Sequence, residues 1–185
     1  MDTPLRLADA AAWEAWLDVS HGASAGVWLQ LAKRGTAGLT YADALEVALC
    51  FGWIDAQKKG LDGSWWLQRF TPRRERSRWS KINRASAEQL VKGARMRPAG
   101  LAEIARARAD GRWDAAYDPP STATVPDDLA AALAADPAAS AFFDRLDGAN
   151  RYAILYRIQE AKRAETRARR IAGFVTMLAE GRTVH

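Results

Sequence analysis

Apolar positions recur with two periods along this chain. Behind Asp9, the residues Trp13, Trp16 and Leu17 share one helical face, which predicts a helix over about 9–19 with Asp9 as its N-cap. Val27, Leu29 and Leu31 alternate with Trp28, Gln30 and Ala32, the period of a strand over 27–33. Thr40 and Asp43 stand at capping-box spacing before the run Ala44 to Leu49, so a helix is expected over 41–51, ended by Gly52. WIDAQKK (53–59) and SWWLQRFT (64–71) read as two strands joined by GLDG (60–63), and Pro72 ends the second. These strands make a small antiparallel sheet of three or more members.

The second half changes to helical spacing throughout. Asn83 is expected to cap a helix over 84–94 with Leu90 and Val91 inward. Pro98 opens the next helix, whose apolar face is Leu101, Ile104 and Ala105, and Gly111 follows its end. DPPSTATVPDD (118–128) has the composition of a linker. After it, helices are expected at about 126–135, 137–146, 149–162 and 165–180. The fold class is therefore α+β: mainly helical, with a small antiparallel sheet in the N-terminal half and a helical C-terminal module. The expected division is 1–117, a linker 118–125, and 126–185, packed as one compact unit.

Composition adds three points. All eight tryptophans lie in the first 113 residues, so the two halves are built differently. The single cysteine, Cys50, sits in an apolar run, and its setting predicts a buried inert thiol in a reducing compartment. The N-terminus carries an early acid and no basic segment before an apolar one, and no stretch approaches 18 uninterrupted apolar residues. The expectation is a cytoplasmic chain without a membrane span.

Charge changes the picture most. Residues 69–84, RFTPRRERSRWSKINR, hold seven basic residues and one acid, a local net charge of +6 against +5 for the whole chain. The basic character is thus placed, not spread. Arginine forks near Trp79 suit phosphate, carboxylate or nucleic acid; the alternative is a solvated loop whose arginines pair with acids elsewhere. Residues 151–170 hold a second concentration, net +5. There Arg151 and Arg167 fall within the apolar stripes of their helices, whereas Arg169 points away. A half-buried guanidinium needs a carboxylate, carbonyl or ligand partner. Such a partner is either an anion or an acid that ties the C-terminal module to the N-terminal part.

Other chemistry is sparse. The two histidines, His21 and His185, match no zinc spacing, and there is no glycine-rich phosphate loop or nucleophile elbow. No metal or cofactor is called for. Asp55 in GWID is the sharpest carboxylate, either a base near the arginines or a partner of Arg69 or Arg73 across the hairpin. Tryptophans among the arginines admit base stacking, although no helix-turn-helix, RNA-recognition or zinc-finger signature is present.

Several blocks resemble a known family. ALCFGWID (48–55), RFTPRRERSRWSKIN (69–83), ARMRPAGL (94–101) and DGRW (110–113), then VPDDLAAALAADPAASAFF (125–143) and NRYAILYRIQEAKRAETRARRI (150–171), are similar to bacterial YdeI or OmpD-associated proteins over about residues 8–181. Members usually read AKRPETR where this chain has Ala164, which loosens the stop between the last two helices. The resemblance implies a role in bacteriocin protection or antimicrobial-peptide resistance. It implies no reaction and no catalytic residues, and its name suggests the envelope, against the absent signal peptide.

The function expected from these features is binding rather than catalysis. An anionic or phosphate-bearing ligand is held by Arg69, Arg73, Arg74, Ser77, Trp79, Ser80 and Asn83, with Asp55 near by and Arg167 and Arg170 closing the site. On that reading Arg73→Ala weakens the ligand and leaves the melting temperature nearly unchanged. A nucleic-acid-binding module and an enzyme acting on a small anionic metabolite are the alternatives. The oligomeric state is not encoded in any feature above.

Overall fold

The computed structural model describes residues 3–185, which form two compact units divided between Ala116 and Tyr117. The first unit opens with α1 (Ala10–Ser20), capped by Asp9, whose carboxylate accepts from the Ala12 N–H at 2.9 Å. β1 (Val27–Ala32) leads to α2 (Tyr41–Cys50), where the Thr40 hydroxyl accepts from the Asp43 N–H at 3.2 Å. β2 (Trp53–Gly60) and β3 (Trp65–Pro72) form the hairpin. Its turn is closed by Asp62, whose carboxylate accepts from the N–H groups of Ser64 and Trp65, both at 2.8 Å.

The sheet is antiparallel in the order β1-β3-β2. Its registers, Val27 with Phe70 and Trp53 with Pro72, fix which residues share a face. Val27, Leu29, Leu31, Trp53 and Phe70 face the helices and join Trp13, Leu17, Val47 and Leu49 in one core. Trp13 meets Trp53 edge-on at 6.2 Å and donates its indole N–H to the Ala44 carbonyl at 3.1 Å, which ties α1 to α2 and the sheet. Such aromatic contacts each contribute about 1 kcal/mol beyond the area they bury. The opposite face carries Trp28, Ala32 and Leu67, buried but outside that core. Cationic chains lie over it: the Lys59 ammonium is 4.7 Å from the Trp28 ring and the Arg6 guanidinium 4.5 Å from the Trp65 ring. Leu5 extends the β1 edge by a parallel bridge to Leu29, while exposed Lys58 and Lys59 guard the β2 edge.

Two helices complete the unit, each differing in part from its expected form. α3 (Lys81–Lys92) is capped by Ser80, not Asn83; the Ser80 hydroxyl accepts from the Asn83 N–H at 3.1 Å. Ala87 and Leu90, three apart on one face, are buried, and Val91, about 100° round from Leu90, is exposed. α4 (Pro98–Ala109) buries Gly100, Ile104 and Ala107 and exposes Leu101 and Ala105. The reason is Gly100, where an added Cβ would lie 2.3 Å from the Cys50 carbonyl oxygen. The backbone of α4 rests directly on the end of α2.

The second unit holds α5 (Asp127–Ala134), α6 (Pro137–Asp144), α7 (Gly148–Gln159) and α8 (Ala164–Ala179). Leu129, Leu133, Phe143, Ile154, Ile158, Ile171 and Leu178 form its core. Ala164 occupies the first position of α8, where proline fits as well, and the break after α7 survives the exchange. The described residues therefore show eight helices and one three-stranded antiparallel sheet, an α+β fold with helices alone in the C-terminal part. None of these helices is long and apolar enough to cross a membrane.

Candidate functional site

The basic segment leaves β3 at Pro72 and is pinned at both ends. The Arg73 N–H donates to the Gly52 carbonyl at 3.0 Å, and Ser80 caps α3. Between them the chain turns back on itself. The Ser77 N–H donates to the Arg74 carbonyl at 2.9 Å, and the Ser77 hydroxyl accepts from the Arg74 N–H at 2.9 Å. From beyond α4, Arg112 donates to the Ser77 carbonyl at 2.7 Å while its Nε is held by Asp110 at 2.8 Å.

This turn sorts the arginines. Arg73 points inward, only 5% exposed, with its guanidinium 3.6 Å from the centre of the Trp79 ring and Nη1 donating to the Arg78 carbonyl at 3.0 Å. Trp79 is itself 1% exposed and meets Trp113 edge-on at 4.8 Å, so it presents no face for a base to stack on. Arg69 and Arg74 go the other way. With Ser77, Thr71, Pro72, Ile54, Ala56, Gln57 and Ala25 they line a groove of about 430 Å³ on the sheet face opposite the main core. Gly26 permits the near wall: its φ is +133°, and a Cβ there would lie 2.7 Å from the Thr71 methyl and 3.4 Å from Arg69 Nε. Among the described residues, Arg69, Arg74 and Arg76 make no ion pair.

The other residues singled out from sequence lie elsewhere. Asp55 shares a sheet face with Phe70, its register partner, and accepts from the Tyr41 hydroxyl at 3.0 Å. Ser80 is buried and spent on the α3 cap, and Asn83 supplies the N–H that the cap accepts. Arg167 and Arg170 belong to the second unit. Arg167 grips Asp128 at 2.5 and 2.8 Å and donates to the Ile158 carbonyl at 3.1 Å. Arg170 donates to the Arg157 carbonyl and lies 3.3 Å from Glu160. Arg151 lies 4.5 Å above the Phe143 ring. The half-buried cations of the last helices thus find partners within their own unit. Cys50 is buried, and burial pushes its thiol pKa up, which keeps it protonated and unreactive. Among the described residues no group of three or more His, Cys, Asp or Glu is placed to hold a metal ion.

Residues 5–103 match the family model described as a domain of unknown function, DUF8412, over more than half of the chain. The chain belongs to that family. The groove and the whole basic segment fall within the DUF8412 match, as do ALCFGWID and RFTPRRERSRWSKIN. Residues 122–181 match the model described as Bacteriocin-protection, YdeI or OmpD-Associated, so the second unit is a YdeI/OmpD-associated module. No curated protein and no solved structure matches the chain.

The Asp128–Arg167 pair within the YdeI/OmpD-associated module gives a pH prediction. Hydrogen bonds from Arg167, the largest influence, hold the Asp128 carboxyl below its ordinary pKa. The folded value is the lower one, so the pair's contribution is full above pH ~4 and is lost as pH falls through the folded value. Thermal melts of the chain across that range should show a shallower acid slope for Asp128→Asn, read from the helical signal. An unchanged slope would show that the pair plays no part in acid stability.

Proposed function

We propose that this chain is a non-catalytic cytoplasmic protein of the bacteriocin-protection type, which acts by binding an anionic ligand in the groove of its first unit. One observation carries the reading: Arg69 and Arg74 flank a single groove and have no carboxylate partner among the described residues. Guanidinium groups that serve only as surface charge cluster with acids; two left unpaired beside one concavity are placed for a ligand. The Ser77 hydroxyl already accepts from the Arg74 N–H, and its own proton is left to be donated to a guest. The lining contains no carboxylate, histidine or thiol to move a proton, which favours binding over chemistry.

The test is titration with inorganic phosphate followed by thermal shift. Arg69→Ala and Arg74→Ala should each weaken phosphate about tenfold, the loss of one charge-assisted contact, and leave the melting temperature of the ligand-free protein within 1–2 °C or so. Equal phosphate binding by both variants and the parent would overturn the groove. Tight binding of a short single-stranded oligonucleotide, steeply lost with salt, would replace the small anion with nucleic acid.

A further inference from the structure

We propose that the ligand of this groove is an organic phosphate monoester: a dianionic head joined to a compact apolar body. The proposal rests on the anion reading above and narrows it. The lining is of two kinds. Arg69, Arg74 and Ser77 present donors, and Ile54, Ala56 and Pro72 present apolar surface. The donors come from two elements, β3 and the turn after it, and all three line the same groove.

Charge decides between head groups. Two guanidinium groups without ion-pair partners bring +2 to the groove, and no acid lines it. A single carboxylate, at −1, occupies one arginine fork and leaves the other desolvated and unmatched. A phosphate monoester near neutral pH carries a charge between about −1.5 and −2, with three oxygens that accept from both forks and from a hydroxyl. The apolar residues argue against a bare inorganic ion, which would leave them facing water. At about 430 Å³ the groove is within the range that holds a small organic molecule, roughly 300–1,000 Å³.

Titration calorimetry of the full chain tests this with three probes: phenyl phosphate, inorganic phosphate and phthalate. Phenyl phosphate should bind about fivefold or more tighter than either of the others, the gain of laying a ring on apolar surface. Its affinity should rise several-fold between pH 5 and pH 7.5, because the phosphate loses its second proton near pH ~6 while the lining arginines stay charged. Phthalate should gain less over that range, because its second carboxyl releases its proton at lower pH than the phosphate does. Ile54→Ala should erase the preference for phenyl phosphate over inorganic phosphate. Ala56→Asp, an exposed position on the irregular part of β2, should weaken all three probes about tenfold by bringing a like charge to the groove. Equal affinity for phenyl phosphate and inorganic phosphate would overturn the apolar body. Tighter binding of phthalate would overturn the phosphate head. In both cases Arg69→Ala would still weaken binding, and the anion reading would stand. Failure of every probe to bind would remove both.

Discussion

Arg73→Ala should cost the first unit about 3 kcal/mol and lower its melting temperature by roughly 10 °C. This reverses what the sequence suggests, where Arg73 stands among six other cations of the basic segment as one more ligand contact. In the fold its guanidinium carbon lies over the Trp79 ring, 3.6 Å from the centre, and its Nη1 donates to the Arg78 carbonyl. Alanine leaves a void under the indole and takes the donor from that carbonyl. The charge itself contributes less than the shape, since a buried guanidinium carries its own desolvation cost. Arg73→Met should therefore recover more than half of the loss, because an unbranched chain of similar volume still covers the ring. Phosphate binding by Arg73→Met should match the parent. If methionine recovers nothing, the buried charge is the stabilising element and the packing argument fails.

Gly100→Ala should be as damaging, at about 3 kcal/mol, although it adds a single methyl group. The new Cβ would lie 2.3 Å from the Cys50 carbonyl oxygen and 2.6 Å from the Met96 methyl. Methionine can swing aside, but a backbone carbonyl at the end of α2 cannot. Relief requires α4 to lift from α2, which also stretches the bond from the Arg97 N–H to the same carbonyl, now 3.0 Å. Chemical denaturation with the tryptophan signal as readout should show a lower midpoint. Gly111→Ala is no fair control because its φ is +77°; Gly22→Ala, in the same unit with open space around it, is. A Gly100→Ala midpoint equal to that of Gly22→Ala would show that the two helices part without cost.

Much of this architecture could be read from local signals. Asp9 and Thr40 announced their helices because a short acceptor before an apolar run can hardly do anything else there. At Ser80-Lys-Ile-Asn83 two good caps stand three residues apart and only Ser80 is used, and of the adjacent apolar pair Leu90 and Val91 the helix buries only the first. α4 departs from its hydrophobic pattern for a different reason. Its contact is made by a glycine, which no hydrophobic pattern counts; the clue is the spacing of Gly100, Ile104 and Ala107, two small residues either side of an isoleucine on one helical stripe.

The site shows the same division. The groove residues Arg69, Arg74 and Ser77 lie in the segment that charge density along the chain picks out. Strand parity could have separated Asp55 from Arg69: Asp55 follows the buried Trp53 by two, and Arg69 precedes the buried Phe70 by one, so they leave opposite faces. The inward turn of Arg73 had no local signal. It depends on a loop closing through Ser77 and on Arg112, 35 residues further on, holding that loop from outside.

The distribution of aromatic rings has one practical consequence. Every indole sits in the first unit, whereas the second carries the phenols Tyr117, Tyr152 and Tyr156 and the rings of Phe142, Phe143 and Phe174. Emission from the indoles therefore reports the unfolding of the first unit alone, and far-ultraviolet ellipticity, summed over both, reveals the second by difference. A single preparation, unlabelled and uncut, lets the two transitions be resolved optically and each substitution be charged to its own half.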